Sequence, residues 1–151
     1  MQQPIIRALT CGSVDDGKST LIGRLLVATD SIPQDTLEAA RFTRRSGSTI
    51  AAGEVDYSLL TDGLEAEREQ GITIDVAYRS MQLGNDQRLI LADAPGHEQY
   101  TRNMAVAASR ADIALVLVDA TKGVREQTQR HLTICSVMAV SYTHLTLPTK
   151  A

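Results

Sequence analysis

The sequence predicts an α/β fold in which a mostly parallel sheet carries one antiparallel hairpin. Three observations support this prediction. Short apolar runs alternate along the chain with segments of helical periodicity, and a glycine-rich turn directly follows the first run. A later run, residues 113–118, is wholly apolar, which is typical of a strand covered on both faces of a sheet. We therefore expect this strand to be central.

The first elements follow a strand, turn and helix order. Apolar residues at 5–9 predict the first strand, and leucine and alanine recur at helical spacing over 21–28, after the turn. Residues 30–70 are mostly polar and hold short helical patterns at 35–44 and 64–69. A connection of this length in a compact domain is usually functional or mobile.

The second half of the chain predicts a hairpin and two further helices. Apolar and polar residues alternate over 74–78, and the apolar run 89–91 follows the turn-forming residues 84–86, which together predict an antiparallel hairpin. Apolar residues fall on one helical face over 100–111 and again over 124–139. These two helices flank the wholly apolar strand and are expected to pack on the sheet.

The chain is expected to hold one partial domain, residues 1–139, followed by a tail. Residues 140–151 contain a recurring threonine and a proline where an α/β domain should supply another apolar strand. They are compatible with a poor edge strand. Their similarity to translated adapter read-through favours a non-native tail, so we expect the native sequence to end near Ala139.

Composition narrows the classes of partner. The formal net charge of −3 provides no broad basic surface for nucleic acid or an anionic membrane. The longest apolar run is far shorter than the roughly 18 residues of a membrane span, and the first residues lack a secretory pattern, so we expect a cytoplasmic protein. Cys11 and Cys135 lie in apolar segments and are expected to be buried, reduced thiols.

The sequence Gly12-Ser-Val-Asp-Asp-Gly17-Lys18-Ser19-Thr20 fits the phosphate-loop pattern G-x-x-x-x-G-K-[ST]. Gly12 and Gly17 permit backbone conformations that a Cβ obstructs, so that successive N–H groups surround a phosphate. The following helix adds its N-terminal partial charge, Lys18 brings an ammonium to the β- and γ-phosphates, and Ser19 offers a hydroxyl to Mg²⁺. The position between a strand and a helix disfavours the alternative, a glycine-rich turn without a ligand.

A second motif, Asp93-Ala-Pro-Gly96-His97, ends the second hairpin strand. Asp93 falls at the carboxyl end of that strand, the edge of an α/β sheet where ligands bind. Its carboxylate is expected to hold Mg²⁺, usually through a water, and the Gly96 N–H is expected to sense the terminal phosphate. His97 is expected to orient the attacking water. Alone, the motif is an ordinary turn and His97 an exposed helix-start residue; the phosphate loop upstream favours a nucleotide switch.

Residues Gly71-Ile72-Thr73-Ile74 enter the first hairpin strand. Thr73 offers Mg²⁺ a hydroxyl oxygen, and the segment before it would become ordered only with a γ-phosphate present. Because a threonine that opens a strand is ordinarily just a β-branched residue, this interpretation depends on the two stronger motifs. His131 and His144 have no partner in the sequence pattern, and no role is assigned to them. The small charge clusters are expected to be surface groups: Arg41, Arg44, Arg45, Glu65, Glu67 and Glu69.

Taken together, these motifs resemble the translational-factor class of GTPases. Within that class the sequence most closely resembles the GTPase (large) subunit of bacterial sulfate adenylyltransferase. The finer resemblance depends on Val-Asp-Asp in the phosphate loop and on Asp75-Val-Ala-Tyr-Arg79 after the switch, which elongation factors match less closely. The matching stretches are residues 12–26, 60–79, 93–104, 119–124 and 127–128.

The resemblance implies a P-loop nucleoside-triphosphatase G domain that is truncated at its C-terminus and followed, in the family, by β-barrel domains. It implies GTP and Mg²⁺ as cofactors and a small catalytic subunit as partner, in a heterodimer or larger assembly. GTP hydrolysis in the family drives formation of adenosine 5′-phosphosulfate and pyrophosphate from ATP and sulfate. The implied metal ligands are Ser19, Thr73 and Asp93, and the implied catalytic residue is His97. The implied nucleotide-binding residues are Gly12, Ser13, Val14, Asp15, Asp16, Gly17, Lys18, Ser19, Thr20, Gly71, Ile72, Thr73, Asp93, Ala94, Pro95 and Gly96.

One departure from the class concerns the base. The sequence contains no Asn-Lys-x-Asp, the motif that selects guanine in this class. We therefore expect the chain to bind guanine nucleotide weakly and to turn over slowly. Two alternatives stay open: an elongation-factor-like translational GTPase, and an inert G-domain fragment.

Overall fold

Five strands form one sheet in the computed structural model, which describes residues 4–13, 16–42, 54–60, 76–84, 86–95 and 98–147. The strand order is β2-β3-β1-β4-β5. Strands β2 and β3 pair antiparallel, and every other neighbouring pair is parallel. This sheet confirms the predicted α/β class and the single hairpin. The strands are β1 Ile5–Cys11, β2 Ala77–Gln82, β3 Arg88–Asp93, β4 Ile113–Asp119 and β5 Ser141–Leu147.

Four α-helices and two 3-10 helices are described. The helix predicted at 64–69, the residues 74 and 75 before β2, and residues 43–44 of the second predicted helix lie outside the described part of the chain. The α-helices are α1 Lys18–Ala28, α2 Gln34–Phe42, α3 Thr101–Ala108 and α4 Glu126–Val137, and the 3-10 helices are Tyr57–Leu60 and Glu98–Tyr100.

The wholly apolar run forms β4, an interior strand paired with β1 on one side and β5 on the other. The prediction that it is the central strand needs one correction, because β1 occupies the middle of the sheet. The segment predicted as a tail pairs with β4 from Ser141 to Leu147, in the edge position that the sequence left as an alternative. That residues 140–151 are non-native stays a prediction, since strand pairing does not test the origin of a segment.

Helix α4 begins two residues later than its apolar periodicity suggested. Val124 is 56% exposed, and the helix starts at Glu126. The delay has a local cause: Gly123 adopts a φ of 67°, and its N–H donates to the Asp119 carbonyl at 2.9 Å, which closes a turn after β4. Apolar spacing alone does not indicate this turn, so the predicted start of the helix at residue 124 was wrong.

The core has two layers on opposite faces of the sheet. Leu9 and Cys11 of β1 face the layer formed with α3 and α4, where Met104 and Cys135 are fully buried. Their neighbour Ala8 faces the other layer, which Ile22 and Leu26 of α1 cover. Both cysteines are buried and free, as the sequence predicted.

Helix α1 also supports the connection that follows it. A Cβ at Gly23 would overlap the carbonyl oxygen of Tyr57, so glycine allows the 3-10 helix to approach the helix backbone. One residue further on, the Arg24 guanidinium lies 5.1 Å from the centre of the Tyr57 ring, a cation–π contact. Within the described residues, no helix has both the length and the apolar character needed to cross a bilayer.

Candidate phosphate-binding site

The predicted site residues converge on one edge of the sheet. Strands β1, β3 and β4 are parallel, so their last residues, Cys11, Asp93 and Asp119, lie at the same end. The phosphate loop leaves β1 at this end and leads into α1. Carboxyl ends of strands in an open α/β sheet are the usual place for ligands.

The two glycines of the loop occupy conformations that favour glycine. Gly12 has a φ of 144°, and a Cβ there would stand 2.5 Å from the carbonyl oxygen of Leu117 in β4. Gly17 has a φ of 93° and is the N-cap of α1. Any side chain at position 12 would force the loop away from β4, so the motif glycine is explained by backbone packing as well as by ligand approach.

The N-terminus of α1 presents its backbone N–H groups without a capping side chain. Gly17 supplies no side-chain cap, and the first turn contains no acidic residue. The Leu21 N–H donates to the Gly17 carbonyl at 3.0 Å, so the preceding N–H groups have no acceptor within the helix. Together with the helix dipole, these groups form an anion site; Ser19 is half-buried beside them, and Thr20 is exposed.

The Lys18 side chain reaches back across the loop. Its Nζ donates to the carbonyl oxygens of Gly12 at 3.1 Å and Ser13 at 2.9 Å, and the residue is buried. The ammonium is thereby held over the loop, next to the free end of α1. This arrangement concentrates positive charge in one place on a chain of net negative charge.

Helix α4 holds the beginning of the loop through two hydrogen bonds. The Gly12 N–H donates to Nδ1 of His131 at 3.0 Å, and the hydroxyls of Ser13 and Thr128 lie 3.1 Å apart. His131 and Thr128 are fully buried. The sequence indicated no partner for His131, and that expectation was wrong, because the ring accepts the Gly12 N–H. The missed signal was helical spacing, because residues 128, 131 and 135 share one face of α4.

His131 is held in its neutral form. Burial, together with the nearby Lys18 ammonium, lowers its pKa from 6.5 to about 4. Because Nδ1 accepts the Gly12 N–H, the proton of the neutral ring belongs on Nε2. Gln127 Nε2 lies 3.1 Å from that nitrogen and donates to the Thr101 hydroxyl at 3.0 Å. Because Nε2 of His131 and Nε2 of Gln127 both carry hydrogen in this tautomer, a hydrogen bond between them requires the Gln127 amide to be turned so that its oxygen accepts the ring proton. Gln127 lies between His131 and the first residue of α3.

Asp16 is a buried acid in a site that attracts anions. It is 2% exposed, and neither carboxylate oxygen has a hydrogen-bond partner among the described residues. Burial raises the pKa of Asp16, and the charges of Arg125, Lys18 and Lys122 oppose that rise. The Asp16 carboxylate is therefore within electrostatic reach of charged residues in the turn between β4 and α4.

That turn is built around Asp119. Its carboxylate accepts hydrogen bonds from the N–H and the hydroxyl of Thr121, at 2.9 and 2.7 Å, and lies 3.5 Å from the Lys122 ammonium. These bonds, with the Lys122 charge, lower the pKa of Asp119. An ionised Asp119 fixes the turn that presents Lys122 and Arg125 toward the phosphate loop.

Asp93 stands where the sequence placed it. It is the last residue of β3, is 1% exposed, and is in register with Thr10 of β1. Ala94 and Pro95 follow it and are buried. The structure therefore brings Asp93 and the phosphate loop to one edge. The other predicted site residues lie outside the described residues: Val14, Asp15, Gly71, Ile72, Thr73, Gly96 and His97.

The glycine-rich loop between a strand and a helix, its bridging lysine and an acid at the end of the neighbouring parallel strand define a P-loop nucleoside-triphosphate-binding domain. The chain belongs to the family described as the elongation factor Tu GTP binding domain, whose sequence profile matches residues 3–147. The fold and the family agree with the resemblance drawn from the motifs.

Curated relatives narrow the comparison. The chain is 59% identical over 136 residues to sulfate adenylyltransferase subunit 1 of Agrobacterium fabrum. This alignment covers 89% of this chain and 27% of the relative. It is 60% identical over 139 residues to the bifunctional enzyme NodQ of Azospirillum brasilense, covering 91% of this chain and 22% of the relative. The chain therefore spans between a fifth and a third of the length of such relatives.

Solved structures share the fold. A protein of Thermus thermophilus aligns with a TM-score of 0.74 at 23% identity, covering 96% of this chain and 19% of that one. A bacterial selenocysteine-specific elongation factor aligns with a TM-score of 0.66 at 25% identity, covering 97% of this chain and 20% of that one. These likenesses confirm the arrangement of the sheet and its helices.

Proposed function

We propose that this chain is the nucleotide-binding part of the GTPase subunit of a sulfate adenylyltransferase. In this role, GTP hydrolysis is coupled to formation of adenosine 5′-phosphosulfate and pyrophosphate from ATP and sulfate. The observation that carries the proposal is the phosphate loop, with its uncapped helix end and buried lysine. Relatives that bear the name sulfate adenylyltransferase subunit 1, at 55–59% identity, support the coupled reaction.

The loop suggests how phosphates are held. The N–H groups at the start of α1 bind phosphate oxygens, and Lys18 exchanges its bonds to the loop carbonyls for the β- and γ-phosphates. The neutral His131 fixes the Gly12 peptide from behind without adding charge. From the sequence motifs alone, the Gly96 N–H senses the γ-phosphate and His97 orients the attacking water.

The donor set fits Mg²⁺. The half-buried Ser19 lies in the first turn of α1, and the buried Asp93 ends β3. Their hydroxyl and carboxylate are hard oxygen donors of the kind that Mg²⁺ takes together with waters and phosphates. Thr73 is a third proposed ligand, from the sequence motif alone. A bound Mg²⁺ would supply positive charge that offsets the negative charge of the phosphates. Ser19 and Asp93 would hold the ion at this edge of the sheet.

The partner we propose is the small catalytic subunit of the enzyme, in a heterodimer or larger assembly in the cytoplasm. The name of these relatives, sulfate adenylyltransferase subunit 1, supports a multi-subunit enzyme. The modest net negative charge supports partners other than nucleic acid or an anionic membrane.

Calorimetric titration of the chain with GTP and ATP, each with and without Mg²⁺, tests the proposed site. We expect Mg²⁺-dependent binding of both nucleotides, with little preference for guanine because the sequence contains no Asn-Lys-x-Asp. Absence of any nucleotide binding would contradict the phosphate site and favour an inert fragment. Tight, GTP-selective binding would show that guanine is recognised by other residues.

A second candidate is a translational GTPase, which the likeness to a selenocysteine-specific elongation factor favours. Co-purification from cells separates the two. Recovery with a small adenylyltransferase subunit supports the first proposal, and sedimentation with ribosomes supports the second.

A further inference from the structure

A cavity of about 340 Å³ lies on the α3 face of the sheet, and none of its lining residues belongs to the phosphate loop. Its floor comes from three neighbouring strands. Tyr78 of β2 is paired in register with Ala92 of β3, and Ile90 of β3 with Arg7 of β1. These four positions lie side by side across the sheet and face the end of α3.

Small side chains leave the cavity open. Ala92 on the strand side faces Ala107, in the last turn of α3, and Ala111 beyond its end. The Tyr78 side chain at the rim remains 49% exposed. An apolar cavity of this volume is within the range of protein ligand sites.

The cavity also has a charged rim. Arg7 and Arg110 line it, both are exposed, and neither guanidinium has an ion pair or hydrogen bond to any residue of the described chain. Asp112, the adjacent acid, accepts the backbone N–H of Arg7 at 2.9 Å, and among the described residues no ion pair joins it to either guanidinium. Two such guanidinium groups beside an apolar cavity match an occupant with an apolar group and flanking carboxylates.

The neighbouring strand favours an extended occupant. Tyr78 belongs to β2, which lies at one end of the strand order and pairs only with β3 in the described part of the chain. An extended segment beside an edge strand is held by main-chain hydrogen bonds, while an alternate side chain enters a pocket. A small molecule without a peptide backbone lacks this series of main-chain hydrogen bonds.

We propose that this cavity, independently of the nucleotide site, binds an acidic peptide segment of a partner protein. One large apolar side chain of the segment fills the space between Ile90 and Ala111, and carboxylates on either side pair with Arg7 and Arg110. The site is therefore a docking surface for a protein.

Fluorescence anisotropy with labelled synthetic peptides tests this proposal. The probes carry a central phenylalanine, leucine or tryptophan between glutamates, and the control peptides carry lysines or a central serine instead. We expect at least one acidic apolar probe to bind with a Kd of about 100 μM or lower, and to lose affinity at high salt because exposed charges are screened. Lysine and serine controls are expected not to bind.

Variants of the chain locate the binding. The double substitution Arg7→Glu with Arg110→Glu is expected to weaken binding at least about tenfold, since two charge-assisted contacts become repulsive. Ala111→Phe, which fills the cavity, is expected to have a similar effect. Arg102→Glu and Val106→Phe, at exposed positions of α3 outside the cavity, are the matched controls and should leave binding unchanged. Nucleotide binding and circular dichroism verify that each variant folds.

Four outcomes would overturn the proposal. The first is failure of every acidic probe to bind, and the second is equal binding by the double variant and the wild type. The third is binding of naphthalene-2-carboxylate as tight as that of the best peptide, which would indicate a small-molecule site. The fourth is concentration-dependent self-association that Arg110→Glu abolishes, which would make the occupant a second copy of this chain.

Discussion

At the scale of single residues, His131 has the least expected part in the site. It lies 119 positions after Gly12 in the sequence, yet its ring accepts the loop N–H. The motif residues themselves were predictable, because a phosphate loop is a local pattern between a strand and a helix. The His131 contact was not, since it depends on how α4 packs against the end of β1. No local rule distinguishes it from an unpartnered buried histidine.

A pH-dependent stability follows from this histidine. Its pKa is about 4 in the folded chain and 6.5 ordinarily, so the unfolded chain takes up a proton first as the pH falls below 6.5. The stabilisation is complete above pH 6.5 and declines toward pH 4. We expect this group alone to make the free energy of unfolding about 2 kcal/mol lower at pH 5 than at pH 7.5.

Urea unfolding of the wild type and His131→Asn at pH 7.5 and pH 5 measures the effect. Asparagine offers an amide oxygen near the position of Nδ1 and does not titrate in this range. The variant is therefore expected to be less stable at pH 7.5, because it is smaller, but to lose about 2 kcal/mol less on acidification. The carboxyl groups contribute equally to the loss of stability on acidification in both proteins, so the difference between the two losses reports the titration of His131. Identical losses in the two proteins would refute the assignment of the titration to His131.

A second residue-scale prediction concerns Lys18. The substitution Lys18→Met keeps the aliphatic stem but removes the ammonium that bonds to the loop carbonyls. We expect nucleotide affinity, measured by calorimetry, to fall about 10- to 100-fold, the usual effect of losing a charge-assisted hydrogen bond. Arg24→Met, at a position of α1 that contacts Tyr57 instead, is the control. Equal affinities for Lys18→Met and the wild type would place the phosphates elsewhere.

At the scale of elements, helix α1 contributes to the phosphate site and also packs against the connection that follows it. Its N-terminus lies at the phosphate site, and the 3-10 helix Tyr57–Leu60 approaches its backbone at Gly23. Apolar spacing predicted the helix and its buried face, where Ile22 and Leu26 pack on the sheet. It did not predict the need for glycine, because that need comes from a backbone more than thirty positions away. A mid-helix glycine is otherwise unfavourable.

The close approach of Tyr57 to Gly23 predicts different results for two glycine substitutions. Gly23→Ala gains about 1 kcal/mol of helix propensity, but its methyl group meets the Tyr57 carbonyl, so we expect a net loss of about 1–3 kcal/mol in the free energy of unfolding. Gly84→Ala, where a Cβ meets no atom within 4 Å, is expected to change stability by less than about 0.5 kcal/mol. Chemical denaturation measures both. A stabilised Gly23→Ala would show that the 3-10 helix moves away at little expense.

At the scale of the whole molecule, the phosphate loop is attached to both layers of the fold. It continues β1, the middle strand, and it bonds to α4 through Gly12 and Ser13, while its helix α1 covers the other face of the sheet. The alternation of strands and helices predicted this architecture, because helical crossovers between parallel strands place helices on the faces of the sheet. The cavity beside Tyr78 was not predictable, since it depends on residues of three strands and the alanines at the end of α3 meeting in space.

Because the loop joins both layers, a bound nucleotide should stabilise the entire chain. A ligand that binds only the folded state at about 100 times its Kd adds about 2.7 kcal/mol. For a domain of this size, we expect a rise in Tm of about 5–10 °C with Mg²⁺ and nucleotide, measured by thermal denaturation. ATP and GTP should give similar shifts at equal saturation, and sodium chloride at the same ionic strength is the control for screening. Lys18→Met should need more nucleotide for the same shift. A shift that one local probe reports, with no change in the unfolding of the sheet, would mean that the loop opens independently of the core. The hydrogen bonds from α4 to Gly12 and Ser13 would then be too weak to couple the loop to the core.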